Sequence, residues 1–346
     1  MSKEFITLSL FYFLFFALIG DYVIFMPKMY SNFFTPAQIG IIFSMLPIAR
    51  FLTPFLFFKL TINKTTFLIS LIISTLAAFL LLSHNFSIIL TAFFFIGASF
   101  SVIFPYIESI AIEKLKEKYG QARVFGSFGF MLFGIIFSYF KINFIYVFII
   151  LIILTNITSL YFLEDKSVKK EKESINFLIA WKFWLALILM QISFGGFYNF
   201  FTIYNLNHHI PKEINGWLWA IGVIAEIGIF LIQHKFIKKF HPLFWIKLSI
   251  LLTSIRWFML YIFAGKVIFI ALSQLIHAFS FAIFHTSALL YLSKIYKNKT
   301  LAQQFYAGIG YGLAAFLGSI ISGWLYGEHL FLYESVIAIL GFLIML

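Results

Sequence analysis

Long apolar runs separated by short polar breaks cover almost the whole chain, and they restrict it to one kind of fold. A hydrocarbon layer about 30 Å thick needs roughly 20 apolar residues per helix. Lipid offers no hydrogen bonds, so such runs must satisfy their own backbone groups, which favours helices. The runs lie at approximately 5–30, 36–59, 65–83, 86–112, 122–140, 143–163, 181–206, 213–235, 242–263, 266–293, 301–326 and 329–346. We therefore predict an all-α integral membrane protein with twelve transmembrane helices.

Composition supports this class and excludes others. Only 11% of the residues are charged, against about 25% in soluble domains. The chain has no cysteine, which excludes disulfide and thiolate chemistry. The first run contains Asp21 and no small-residue cleavage site, so we interpret it as a membrane span rather than a signal peptide. The second, fourth and tenth runs are long enough to tilt, or to bend at Pro47, Pro54 and Pro105.

The hydrophilic segment EDKSVKKEKES, residues 164–174, divides the spans six and six. We predict an N-terminal six-helix bundle at 1–163, a cytoplasmic linker at 164–180 and a C-terminal six-helix bundle at 181–346. The halves align in order, 39–51 on 215–227 and 98–104 on 278–284, which indicates the internal duplication found in many transporters. This alignment places Arg50 opposite Glu226, so the two halves carry opposite charges at equivalent depth.

The placement of the basic residues predicts the orientation in the membrane. With a cytoplasmic N-terminus, the outer side carries only Lys28, Lys141, Lys212 and Lys266, and Arg50 and Arg256 fall inside spans. All other Lys and Arg residues then lie at cytoplasmic ends and loops, as the positive-inside rule requires. Both termini are therefore expected in the cytoplasm. The net charge of +12 is explained by contact with anionic lipid, and no nucleic acid is expected.

Glu226 is an ionisable group in the middle of a predicted span. It lies ten residues beyond Gly216, which corresponds to a depth of roughly 15 Å along a helix. A charge at that depth costs at least about 2.5 kcal/mol and marks a functional site by default. The position of Glu226 therefore predicts a transporter in which this carboxylate takes part in the transport mechanism.

Several segments resemble the 3-phenylpropionate permease family, a branch of the major facilitator superfamily related to proton symporters of the lactose permease type. The segments that carry the resemblance are IGIIFSMLPIARFLTP, YGQARVFGSFGF, GWLWAIGVIAEIGIF, QLIHAFSFAIFHTSAL and AGIGYGLAAFLGSIISG. The resemblance implies twelve spans, alternating access and proton-coupled uptake. It also implies a central cavity lined by the first, fourth, seventh and tenth spans.

The resemblance favours a proton-coupling role for residues on three successive spans. The lactose permease type carries a Glu on the eighth span, an Arg on the ninth and a His on the tenth, and Glu226, Arg256 and His277 match them. Burial raises the pKa of a carboxyl group and a neighbouring cation lowers it, so a group that alternates between such environments transfers protons. The alternative is a static ion pair of Glu226 with Arg256 or with another helix. Asp21, on the first span, is a further coupling candidate or the partner of Arg50.

Polar and aromatic residues that share helix faces, at about 100° per residue, are candidates for substrate binding. Arg50 is either a counter-ion for an anionic substrate or a helix-packing charge. His277 and His285 are either cavity-lining or helix-packing residues, and their spacing of some 12 Å along the helix argues against a metal site. The candidate set is Arg50, Gln191, Tyr198, Trp219, Gln274, Phe281 and His285.

Glu108 and Arg123, near the cytoplasmic ends of the fourth and fifth spans, are expected to form a gate or interfacial pair, or a sugar-binding pair as in lactose permease. The favoured function is import of a small organic solute, an aromatic carboxylate first, with a sugar, a nucleoside or export of hydrophobic compounds as alternatives. We expect a monomer in the cell inner membrane, with protons and lipid as partners, no cofactor and no metal. A membrane-embedded transferase is disfavoured because no sizeable loop offers a catalytic acid or histidine.

Overall fold

The computed structural model describes residues 2–56, 63–164 and 175–346, with the side chains of 54–56 left out. The predicted linker therefore lies largely outside the described residues, as does Lys59. The described chain divides into two compact units, Met1–Lys170 and Glu171–Leu346. The division falls inside the segment predicted as a linker, and each unit is described by itself.

Helices occupy almost all of the first unit. Its elements are α1 (Lys3–Gly20), a π-helical segment (Asp21–Phe25), α2 (Met26–Tyr30), α3 (Pro36–Leu56), α4 (Lys64–Leu80), α5 (Phe86–Leu115), α6 (Tyr119–Phe137) and α7 (Phe144–Leu160). α1 packs along α6 and α7, and α5 packs against α3 and α4. Asparagine side chains cap three of these helices: Asn63, Asn85 and Asn143 each accept hydrogen bonds from first-turn N–H groups, which would otherwise have no partner.

The second unit has the same helical character. Its elements are α8 (Trp181–Ile192), α9 (Gly195–Asn207), α10 (Lys212–Ile232), α11 (Pro242–Ile262), α12 (Val267–Leu275), a π-helical segment (Ala278–Ile283), α13 (Phe284–Ile295), α14 (Lys299–Gly308), a π-helical segment (Ile309–Ala314), α15 (Ala315–Trp324) and α16 (Leu330–Met345). α16 packs against α11 and α8, while α9 packs against α15.

The all-α membrane fold is confirmed. Eight helical stretches of the described chain are long and apolar enough to cross a membrane, and one of them, Phe86–Phe137, contains both α5 and α6. The shorter apolar helices are α4, α7 and α16. Helices therefore lie at each of the twelve predicted positions, and the ends that fall within the described residues agree with the prediction to within a few residues.

The irregularities of the helices do not fall at the prolines inside the second and fourth spans. α3 continues through Pro47, and α5 continues through Pro105. Instead, the first, tenth and eleventh spans contain π-helical segments, and the seventh is interrupted between α8 and α9. Such π segments often occur at functional sites.

Glycines allow very close helix contacts in both units. A Cβ on Gly129 of α6 would lie 2.1 Å from the carbonyl oxygen of Phe13 on α1. A Cβ on Gly195 of α9 would lie 2.1 Å from the carbonyl oxygen of Gly318 on α15. Small residues at such crossings let backbones approach and gain van der Waals contact, which is how membrane helices associate.

Candidate functional site

A cluster of charged and polar side chains lies inside the second unit, where α10, α11 and the tenth span meet. Arg256 of α11 is completely buried, and its guanidinium donates two hydrogen bonds. Nη1 donates to Nδ1 of His277 at 2.9 Å, and Nη2 donates to Oε1 of Gln274 at 2.8 Å. Glu226 of α10 approaches the same histidine from the other side, with Oε2 3.9 Å from His277 Nε2. The structure thus brings together three predicted coupling residues: Glu226, Arg256 and His277.

The arrangement determines which nitrogen of His277 carries the proton. A guanidinium has only donors, so Nδ1 of His277 must accept, and the hydrogen of the neutral ring is on Nε2. That N–H faces Glu226 across 3.9 Å, slightly beyond a direct hydrogen bond. Arg256, His277 and Glu226 therefore form a chain in which a small movement joins the imidazole to the carboxylate.

Aromatic rings surround the buried guanidinium. The Cζ atom of Arg256 lies 4.2 Å from the ring centre of Phe197 and 4.5 Å from that of Trp257. Desolvated cation–π contacts of this kind stabilise a buried charge by about 2 kcal/mol or more. Trp257 is held by its own hydrogen bond, from Nε1 to the Ser193 hydroxyl at 3.1 Å. The site is thus a buried cation with an aromatic wall and a carboxylate nearby.

Gln274 is part of this cluster, which differs from the expected role in substrate binding. It is fully buried, accepts from Arg256, and donates through Nε2 to the Ser273 hydroxyl at 3.2 Å. Both ends of its amide are engaged by neighbours on α11 and α12. These two hydrogen bonds position the arginine, and a contact between Gln274 and substrate stays a prediction.

Two further substrate-binding candidates, Trp219 and Gln191, lie in helix packing. Trp219 is 4% exposed, and its Nε1 donates to the Thr202 hydroxyl on α9 at 3.1 Å. Gln191 of α8 is 7% exposed and lies close to Gly310, where a Cβ would be 3.6 Å from Gln191 Cγ. These residues join neighbouring helices of the second unit.

Tyr198, Phe281 and His285 are less buried than the candidates that take part in helix packing. Tyr198 stacks on Phe194, with ring centres 5.6 Å apart. Phe281 lies between His277 and His285 in a column of nearly parallel rings, at centre distances of 5.6 and 6.3 Å. The one-turn spacing along the tenth span produces this column, which offers flat surfaces beside the Glu226 carboxylate.

Tyr306 and Tyr311 of the eleventh span were missed by the sequence analysis. The Tyr311 hydroxyl lies 3.4 Å from Nδ1 of His285 and 3.4 Å from the hydroxyl of Tyr306. Tyr311 also lies within electrostatic range of Glu226 and Tyr198. A usable signal was present in the sequence, because the Tyr311 hydroxyl lies within an apolar run.

Of the two alternatives for Asp21, the one that makes it the partner of Arg50 is not supported by the described contacts. Asp21 is completely buried in the π-helical segment of the first span, and in the described part of the chain neither of its carboxylate oxygens has a hydrogen-bond partner. Tyr22 is the residue that faces α3: its hydroxyl donates to the Phe43 carbonyl at 2.9 Å, and it lies near Arg50. Successive helical residues point in clearly different directions, so Asp21 and Tyr22 do not face the same neighbours.

Glu108 and Arg123 come together in the first unit, as the sequence predicts for a charge pair. Arg123 Nε lies 3.9 Å from Glu108 Oε1, and the Tyr119 hydroxyl donates to the same carboxylate. The guanidinium packs on Phe16, 4.2 Å from its ring centre. Gly126 leaves room for this group, because a Cβ there would lie 2.9 Å from Arg123 Nη1. Gate and substrate roles both remain predictions.

Comparison with known proteins identifies the relatives of this architecture. The sequence model of the MFS_1 like family matches residues 5–334. The chain is 22% identical over 265 residues to the "Probable 3-phenylpropionic acid transporter" of Escherichia coli (strain K12), covering 69% of each protein. The structure is similar to that of the nucleoside transporter NupG, with a TM-score of 0.83, 17% identity and coverage of 99% of this chain and 98% of that one. It is also similar to a bacterial homologue of the iron transporter ferroportin, with a TM-score of 0.76, 11% identity and coverage of 100% and 98%.

Proposed function

This chain belongs to the MFS_1 like family of the major facilitator superfamily, whose members are transporters and not enzymes, and from that premise we propose that it couples solute import to protons. The cluster of Arg256, His277 and Glu226 carries the proposal. It combines a buried cation, a titratable ring and a carboxylate on three neighbouring helices. Such groups are costly in a membrane, and where they occur they usually mark an ion or substrate pathway.

The proposed coupling step uses the 3.9 Å gap between His277 and Glu226. Proton uptake by this pair produces either a neutral carboxylic acid at Glu226 or an imidazolium at His277. The imidazolium would carry its second proton on Nδ1 and would therefore lose the hydrogen bond from Arg256. Both states change the charge next to Arg256, and a change of access between the two sides of the membrane would expose the pair to each solution in turn. The proton gradient is the energy source, and no cofactor is required.

For the substrate, we favour an aromatic carboxylate. The ring column formed by His277, Phe281 and His285, together with Tyr198, offers stacking surfaces, and buried Arg256 supplies positive potential near them. The name of the Escherichia coli relative agrees with this choice. A nucleoside is the second candidate, because a base also stacks on such rings and the NupG fold is similar.

The membrane location and the gate complete the proposal. We infer a cell inner membrane protein with both termini in the cytoplasm, from the distribution of lysines. The Glu108–Arg123 pair, close to the lysine-rich turn after α5, would act as a cytoplasmic gate that breaks and re-forms during transport. A monomer is sufficient for this mechanism.

Uptake into proteoliposomes with an imposed pH gradient tests the proposal. Purified protein should accumulate radiolabelled 3-phenylpropionate against its gradient when the exterior is acidic, and a protonophore should abolish accumulation. Parallel assays with uridine and lactose distinguish the substrate classes. Absence of proton-driven movement for all three, in protein that elutes as a single folded species, would contradict proton symport.

A further inference from the structure

The seventh span is interrupted for two residues between α8 and α9, and a carboxylate lies at the break. α8 ends at Ile192 and α9 begins at Gly195, with Ser193 and Phe194 between them. The first N–H groups of a helix have no partner within it. In a membrane protein such groups need partners from other elements.

Glu334 of α16 supplies that partner. It is 2% exposed, and its Oε1 accepts a hydrogen bond from the Gly196 N–H, while the Phe197 N–H also lies in range. Gly196 makes the contact possible, because a Cβ there would lie 2.6 Å from Oε1. In the described residues, Oε2 has no hydrogen-bond partner. Among the described residues, the carboxylate of Glu334 therefore forms hydrogen bonds only with N–H groups at the start of α9.

Phe197, the residue next to this contact, packs directly against the charge cluster. Phe197 follows Gly196, and its ring centre lies 4.2 Å from Cζ of Arg256 and 5.9 Å from the ring centre of His277. The same ring lies 4.5 Å from Trp219 and 5.4 Å from Trp257. Movement of the α9 N-terminus would thus move the aromatic surface on which the buried guanidinium lies.

We propose that Glu334 is a positioning residue for proton coupling, which fixes the break in the seventh span so that Phe197 supports Arg256. The inference rests on the proposed coupling role of Arg256, His277 and Glu226. Glu334 acts here as a hydrogen-bond acceptor through the backbone of α9. A role as a second proton carrier is a different hypothesis, and the two give opposite results for a glutamine variant.

A double-mutant cycle in thermal unfolding tests the contact without any substrate. Gly196→Ala places a methyl group where the carboxylate lies, and Glu334→Ala removes the carboxylate and leaves space for that methyl group. Each single variant should lower the midpoint of unfolding, and the double variant should lose clearly less than the sum of the two. Additive losses would overturn the proposed contact, because residues that do not interact give additive effects.

Transport assays test the positioning role. The measured quantity is the ratio of proton-driven accumulation to exchange at equal pH, for radiolabelled 3-phenylpropionate in proteoliposomes. Leaving a buried N–H group without its acceptor corresponds to a change of about 5- to 100-fold, so Glu334→Ala should lower the ratio by at least about fivefold. Glu334→Gln keeps an acceptor oxygen and should retain the ratio, as should the exposed control Glu328→Ala.

The outcomes separate this inference from the proposed function. If Glu334→Gln loses accumulation while keeping exchange, Glu334 carries a proton itself and the positioning role is wrong. If Glu334→Ala lowers accumulation and exchange equally, its role is purely structural and the inference also fails. A wild-type protein that accumulates no solute contradicts proton coupling altogether, whereas the unfolding cycle remains a test of the contact between α16 and α9.

Discussion

Replacement of Glu226 by glutamine separates coupling from transport. The carboxylate lies 3.9 Å from His277 Nε2, and the two side chains are 18% and 10% exposed. At an effective dielectric constant of about 20, a unit charge pair at this distance is worth about 4 kcal/mol. Glutamine has nearly the same size and removes this attraction.

The assay compares two modes of transport in the same proteoliposomes. Glu226→Gln should abolish accumulation driven by an acidic exterior, because glutamine cannot bind and release a proton as the carboxylate does. Exchange of labelled for unlabelled substrate at equal pH should persist, because it needs no net proton movement. Glu213→Gln is the matched control, since Glu213 is a more exposed carboxylate in the first turn of the same helix.

Wild-type accumulation by the Glu226→Gln variant would refute the reasoning. The glutamine amide can still bond to His277, so retained accumulation would mean that no proton is carried by this carboxylate. Loss of both accumulation and exchange, in protein with unchanged thermal stability, would instead assign Glu226 to substrate binding or access. Either result would remove it from the coupling step.

Three other predictions concern packing and binding in the second unit. Arg256→Ala leaves two buried acceptors without a donor, at about 1–3 kcal/mol each, so the midpoint of thermal unfolding should fall sharply; an unchanged midpoint would contradict the hydrogen bonds. Gly195→Ala should prevent stable folding or strongly lower the midpoint, because its Cβ would lie 2.1 Å from the carbonyl oxygen of Gly318. The control Gly228→Ala, whose Cβ would have nothing within 4 Å, should be neutral or more stable by about 0.5–1 kcal/mol. Tyr311→Phe should raise KM for 3-phenylpropionate about two- to tenfold with Vmax unchanged if its hydroxyl contacts substrate; equal KM values would exclude that contact.

The sequence was sufficient for the helices and for part of the site. Run length and apolar content are local properties, and the bilayer converts them directly into helical spans, so the positions were predictable to within a few residues. The depth of a charge also follows from sequence, which identified Glu226, Arg256 and His277 as unusual. Resemblance to a family then placed these residues on successive spans.

The sequence left open which way each helix faces. Equal depth made Arg50 one possible partner of Asp21, yet Tyr22 is the residue that bonds to α3. Gln274 was predicted to bind substrate, and the structure shows that it accepts a hydrogen bond from Arg256. In a membrane protein, lipid-facing and protein-facing surfaces are both apolar, so hydropathy gives little information about the rotation of a helix.

The sequence by itself thus determined the class of fold, the depth of each charge and the types of residue available for coupling. Only the tertiary structure decided that Arg256 bonds to His277 and Gln274, that Glu226 lies beside that histidine, and that Glu334 caps the broken seventh span. Those contacts join residues far apart in the chain and depend on ångström-scale helix crossings. Burial in the membrane makes each of them costly to leave unsatisfied, which is why the folded structure forms them.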